Sequence, residues 1–302
     1  MRKILSQLYG YWWWLDKGLF VYTVFFVTTL VFCNYYFGIN RTINANAPLL
    51  QYLCWYLLFL LAFSFPYIVA FTVRQKRMTS VKWLPLLFIA PAIFSWKMTY
   101  AVNFHFSDSV PANIYWNTVV YWPFKLVIIV MMLGAVWLAS GKRAYHYGLG
   151  NTNFSYRPYV TMLLLMTPLI AAAATQPDFL ALYPKLKSLQ NFPTAGNHGW
   201  YQLLYELCYG SDFFGIELFF RGFLILGFAR WTGKDCILPM AVFYCTIHFG
   251  KPLAECISSF FGGLILGVVT YHSRSIWGGL LVHLGIAWLM ELGGYLGRVY
   301  AN

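Results

Sequence analysis

Long apolar runs alternate along this chain with short polar and basic segments. A helix that crosses hydrocarbon needs about 20 apolar residues. The first such run goes from about Gly18 to Phe37, and the second from about Leu49 to Val73 with Pro66 inside. The third covers about Trp83 to Met98 and holds Pro85 and Pro91, and the fourth covers about Tyr115 to Leu138 and holds Lys125. The fifth extends from about Pro158 to Thr175 and the sixth from about Trp200 to Phe228. Three more follow, at about Ile237 to Phe249, Leu253 to Tyr271 and Ile276 to Leu296. The pattern predicts an all-α, polytopic transmembrane helix bundle of about eight or nine spans. The seventh run is short for a span and is expected to lie half-buried among its neighbours.

The connecting segments carry the polar residues. They include Asn40-Arg41-Thr42, the basic turn Arg74-Gln75-Lys76-Arg77, a loop with His105, Asp108 and Pro111, and Gly141-Lys142-Arg143. A connector over 144–157 and a polar stretch from Gln176 to Gly199, with the turn signal Asn191-Phe192-Pro193, complete the set. The division expected is an N-terminal membrane region of about five spans over residues 1–199 and a motif-bearing helical core over 200–302.

Composition agrees with a membrane chain. It is 60% hydrophobic and 10% charged, where a soluble protein carries about 25% charge. The formal net charge is +12, which fits basic cytoplasmic loops facing anionic lipid. No basic patch on a soluble surface is evident, so nucleic acid is excluded as a partner. With the N-terminus cytoplasmic, the inner side collects Arg2, Lys3, Lys17, Arg74, Lys76, Arg77, Lys82, Lys142, Arg143, Arg157, Arg230, Lys234 and Arg274. The outer side collects Arg41, Lys185, Lys187, Lys251 and Arg298, thirteen against five. The six cysteines form no C-x-x-C pair and read as small hydrophobes in helices. The start of the chain, from Met1-Arg2-Lys3 to Trp12-Trp13-Trp14, lacks a cleavage site and reads as an interfacial aromatic and basic segment.

Candidate chemistry concentrates after residue 200. Glu206, Asp212, Glu217, Arg221, His248, Glu255, His283 and Glu291 all fall in or beside apolar runs. Ionisable groups in such runs are costly and face a protein interior or a wet cavity. Glu217 and Arg221 are four residues apart, on one face of a helix. A rise of 1.5 Å per residue puts Glu217, Arg221, His248 and His283 all within roughly 10–18 Å of the inner face. Glu255 and Glu291 lie nearer the outer face. A carboxylate at such a site can act as general base, one histidine can share the proton, and a second can donate to an oxyanion. Arg221 would hold Glu217 ionised. The same Glu217, His248 and His283 are also a possible zinc ligand set. A structural ion pair and helix-bridging histidines are the plain alternative.

Other hydrolase signatures are missing. There is no H-E-x-x-H and no G-x-S-x-G. Gly210-Ser211-Asp212 is not the glycine-aspartate pattern of presenilin-like proteases. Lys97 and Lys125 read as snorkelling or structural partners.

The order Glu217-x-x-x-Arg221-Gly222, Tyr244-x-x-x-His248 and then His283 resembles the CPBP family, the type II CAAX prenyl endopeptidases and the bacterial bacteriocin-processing and immunity proteins. The segments Phe261 to Gly267 and Ser275 to Gly279 resemble the connecting helix and turn of that family. The resemblance covers about residues 200–300. It implies an all-helical intramembrane protease core in which a glutamate-activated water attacks a peptide bond, with no metal required. It implies a peptide or lipidated-protein substrate, membrane lipid as surroundings, and a multi-pass protein of the bacterial plasma membrane. The family pattern is E-E-x-x-x-R, F-x-x-x-H and H-x-x-x-N/D. Here Ile216 stands at the first glutamate, Tyr244 at the phenylalanine and Ala287 at the final Asn or Asp.

Three readings follow from these residues. The first is an active protease in which Glu217 acts alone or with Glu255 or Glu291 as substitute carboxylate. The second is an inactive homologue that binds a partner or confers bacteriocin immunity. The third is a channel or transporter lined by Glu206, Glu255 and Glu291.

Overall fold

The structure, a computed structural model, describes residues 1–73, 83–101, 103–140, 145–150, 155–186 and 198–301. The expected basic turn at 74–77, Lys82, the 141–143 turn, Lys187 and the turn at 191–193 lie outside the described residues. Everything regular among the described residues is helical. Five helices are long and apolar enough to cross a membrane: Lys17–Phe37 (α2), Pro48–Val73 (α4), Val110–Ala139 (α6), Leu253–Ser273 (α12) and Trp277–Ala301 (α13). Two shorter apolar helices, Leu84–Thr99 (α5) and Arg157–Ala173 (α7), join them. His198–Glu217 (α9), which carries Glu206, Asp212 and Glu217, and Ile237–Thr246 (α11), of 10 residues, stand outside those sets.

Local chemistry sets the ends. Asp16 caps α2 by accepting the Leu19 N–H at 2.8 Å, and Gly38 ends it in the left-handed region at φ 67°. Prolines at 66, 91, 123 and 168 lie inside helices, which neighbouring helices in a membrane protein tolerate.

Four local features depart from the apolar pattern. The first residues form a helix, Arg2–Trp14 (α1), that buries Ile4 and Tyr11 and leaves Trp12 and Trp13 exposed. The loop around Arg41 contains a short helix, Ile39–Asn44 (α3), tied down by Asn34, whose Oδ1 accepts the Asn40 N–H at 2.9 Å. The polar stretch after Gln176 contains Pro177–Leu182 (α8), and α6 begins at Val110 rather than near Tyr115. The sixth apolar run divides: α9 ends at Glu217, and Leu218–Gly227 continues as a wider π-type helix with every residue buried. A short helix, Ala229–Thr232 (α10), follows.

The chain divides into two compact units. One comprises Met1–Tyr100, Ala135–Phe154 and Leu218–Ile276, and the other Ala101–Gly134, Ser155–Glu217 and Trp277–Asn302. In the first unit α11 packs against α2, α4 and α12. All ten of its residues are buried, as a helix too short to reach across lipid on its own requires. Phe243 of α11 is the hub of an aromatic core. Its ring centre lies 4.9 Å from Phe59, 5.6 Å from Phe63, 5.8 Å from Phe94 and 5.3 Å from Phe220. Each such pair adds about 0.5–1.5 kcal/mol beyond area burial.

In the second unit α13 packs on α7, α8 and α9. Gly285 permits the close approach to α7, because a Cβ there would crowd Leu163 on three of its atoms. Toward its C-terminus α13 fixes the segment after α8. The Glu291 oxygens accept the main-chain N–H groups of Lys185 at 3.0 Å and Leu186 at 3.3 Å. Arg298 donates to the carbonyls of Tyr183 and Leu180.

Candidate functional site

Glu217 is the last α-helical residue of α9 and is fully buried. His283 lies 66 positions later on α13, and its Nδ1 stands 3.1 Å from Glu217 Oε1. An ionised carboxylate only accepts, so in that state the imidazole carries its proton on Nδ1 and donates it. The His283 ring packs edge-on against Phe213, one turn before Glu217, at 4.7 Å between ring centres. The other carboxylate oxygen, Oε2, lies against the α-carbon of Gly279. Any side chain at 279 would meet that oxygen, so the glycine makes the room in which the carboxylate sits.

Arg221 and His248 gather on a common residue of the first unit. The buried Arg221 guanidinium lies 4.3 Å above the Tyr244 ring, a cation–π contact that strengthens when desolvated. His248 follows α11 by two residues, and its Nδ1 is 2.8 Å from the Tyr244 carbonyl oxygen. A carbonyl cannot donate, so Nδ1 carries the hydrogen. The His248 Nε2 is therefore a lone-pair acceptor in the neutral ring and a donor in the imidazolium. The His248 ring also packs on Tyr244, at 4.8 Å between centres. Asn34 braces the following turn by donating from Nδ2 to the Phe249 carbonyl at 3.0 Å.

The remaining candidates have other engagements. Glu255 pairs with Lys251 one turn earlier at 3.3 Å, partly exposed. Glu291 holds the Lys185 and Leu186 amides. Glu206, on α9, lies within electrostatic reach of Glu291. Lys125 is buried, with Nζ 2.6 Å from the Tyr121 hydroxyl, and Lys97 is buried with Nζ 5.5 Å from the Phe94 ring centre. Among the described residues, no three His, Cys, Asp or Glu side chains form a group able to hold a metal ion.

Two of the three departures from the family pattern, Ile216 and Ala287, share an environment. Ala287 is buried in an apolar cluster with Tyr115, Val119, Tyr205, Tyr209 and Phe213, and Ile216 packs against the same cluster. Both positions are filled by side chains suited to those walls.

Residues 207–289 match the family model of type II CAAX prenyl endopeptidase Rce1-like proteins. The matched stretch contains Glu217, Arg221, Tyr244, His248, Gly279 and His283. No curated protein and no solved structure matches the chain.

Two residues and one helical segment are not evident from the sequence. From sequence Tyr244 is only a mild change from phenylalanine, whereas its ring and carbonyl serve Arg221 and His248. Gly279 was read only as part of a turn. The π-type segment was not foreseen. Within it Gly222 lets the Tyr147 backbone approach closely, since a Cβ there would stand 2.8 Å from the Tyr147 carbonyl oxygen. A helix of this type is frequent at functional sites.

Proposed function

We propose that this chain is an intramembrane endopeptidase that hydrolyses a peptide bond of a membrane-associated or lipidated peptide. The observation that carries the reading is the buried Glu217–His283 pair at 3.1 Å, inside the stretch similar to a peptidase family. In the proposed reaction the Glu217 carboxylate takes a proton from water. The water oxygen attacks the peptide carbonyl carbon, and the carbonyl oxygen becomes an oxyanion. His283 holds Oε1 and leaves Oε2 to receive the proton. His248 as imidazolium donates from Nε2 to the oxyanion. The proton on Glu217 then passes to the leaving nitrogen as the C–N bond breaks. Arg221 is assigned the role of holding the carboxylate ionised. The proposed setting is a bacterial plasma membrane with the N-terminus cytoplasmic.

The test is cleavage of prenylated and unprenylated membrane peptides by purified protein in detergent. Glu217→Gln and His283→Ala are each expected to lower turnover by about 10²–10⁴-fold, the usual worth of general acid–base catalysis. Undiminished turnover by both variants would overturn the reading.

A second reading, an inactive homologue that binds a partner or serves immunity, is favoured by Ile216 and Ala287 in their aromatic cluster. It expects a silent parent that gains cleavage on Ile216→Glu with Ala287→Asn. Cleavage by the unaltered chain would dispose of it.

A further inference from the structure

An open groove of about 790 Å³ runs along α1 and α12. Leu5, Tyr9 and Trp12 line it from α1, and Leu264, Ile265 and Val268 line it from α12. The walls are nearly all apolar, and Leu5 and Tyr9 remain 56% and 65% exposed. Trp12 and Leu15 line it at the C-terminal end of α1, and cations meet aromatic rings near the ends of the two helices. Lys17 Nζ stands 3.9 Å from the Trp12 ring centre and 3.2 Å from the Leu15 carbonyl oxygen. Lys234 Nζ is 5.5 Å from the ring centre of Trp14. Arg274 lies 4.8 Å over Tyr271, and His272 is within electrostatic reach of both Lys234 and Arg274.

An apolar trough ending in a rim of aromatic rings and permanent cations matches one kind of molecule, an amphiphile with a negative head. Lysine and arginine stems cover apolar surface while their charged ends meet phosphate, and tryptophan favours the same interfacial level. We propose that this groove is a binding site for an anionic phospholipid, with an acyl chain along α1 and α12 and the phosphate at Lys17, Lys234 and Arg274. The charge at the rim selects the anionic head over a zwitterionic one. The site is independent of the peptidase reading.

Phosphatidylglycerol and phosphatidylcholine carrying a photoreactive diazirine on the acyl chain test the proposal on the full-length protein in detergent. Crosslinks are mapped by mass spectrometry, and native mass spectra give the relative occupancy of the two lipids. Phosphatidylglycerol is expected to label peptides containing Leu5 to Leu15 and Leu264 to Val268, and to be preferred over phosphatidylcholine. Lys17→Gln, Lys234→Gln and Arg274→Gln should each lower that preference about fivefold, the equivalent of about 1 kcal/mol per basic residue. Val268→Trp should reduce labelling of the groove with either lipid. Equal occupancy by the two lipids in the unaltered protein, or crosslinks lying outside these peptides, would overturn the proposal without any variant having to fold.

Discussion

Substituting Gly279 by alanine probes the candidate base without touching its chemistry. The added Cβ would overlap Glu217 Oε2 and stand 3.3 Å from its Cδ. Restoring ordinary contact requires the carboxylate to retreat by roughly half an ångström or more. Glu217 is fully buried, and its other oxygen is already 3.1 Å from His283 Nδ1. That distance is near the long end of a normal N–H···O bond, so a further half ångström removes it. Loss of a hydrogen bond to a buried charged group costs about 1.5–3 kcal/mol. Alanine returns up to about 1 kcal/mol through helix propensity. The net expectation is a destabilisation of about 0.5–3 kcal/mol. A misplacement of this order at a catalytic group also costs about 10²-fold in rate. The control is Gly262→Ala on α12, where a Cβ would meet nothing within 4 Å, so its melting temperature should be unchanged or raised. Thermal unfolding in detergent reads the stability of both variants, and cleavage of a membrane peptide reads the rate. If Gly279→Ala melts with Gly262→Ala and cleaves as fast as the parent, Glu217 is not confined as described.

Three further expectations follow from the packing. Asn34→Leu removes both the bond to the Phe249 carbonyl, which is buried, and the acceptor for Asn40 N–H, which is part-buried; a loss of about 1–3 kcal/mol in detergent unfolding is expected. Phe243→Ala should cost about 3–5 kcal/mol by the same measurement, more than any exposed lipid-facing phenylalanine such as Phe25 at 72% exposure. Burial pushes the Tyr147 phenol, in the turn before Gly148, up to about 12, against smaller opposing contributions from Arg230 and Ser140. Because the folded value is raised, its contribution to stability is complete below pH about 10 and is lost as pH rises through about 12. Unfolding followed across that interval should steepen in the parent and flatten in Tyr147→Phe.

The apolar runs were legible because hydrocarbon imposes a length and forbids unpaired backbone, so helices had to lie where the sequence is apolar. The observed ends of α2, α4 and α5 fall within one residue of the expected ones. Deviations occur where polar side chains supply their own backbone partners, as Asn34 does for α3. The candidate residues were likewise legible, since an acid, an arginine and two histidines in apolar helices are expensive enough to stand out. Their partners were not. Helical spacing compares residues on one helix, and it links Glu217 with Arg221. The pairing of Glu217 with His283 joins α9 to α13 across 66 residues, and only the packing of those helices decides it.

The same limit applies to the groups around the site. Sequence alone could mark Ile216 and Ala287 as departures from a pattern. Tertiary structure shows that both meet one apolar cluster. Sequence could offer Glu255 and Glu291 as spare carboxylates, and the fold engages one with Lys251 and the other with two backbone amides. What the sequence by itself determined is an all-helical membrane chain with its ionisable groups in the last third. Which of those groups touch was decided by tertiary contacts, because side-chain partnership depends on inter-helix register and local helix type. The change to a π-type helix immediately after Glu217 is one such determinant, and apolar periodicity does not encode it.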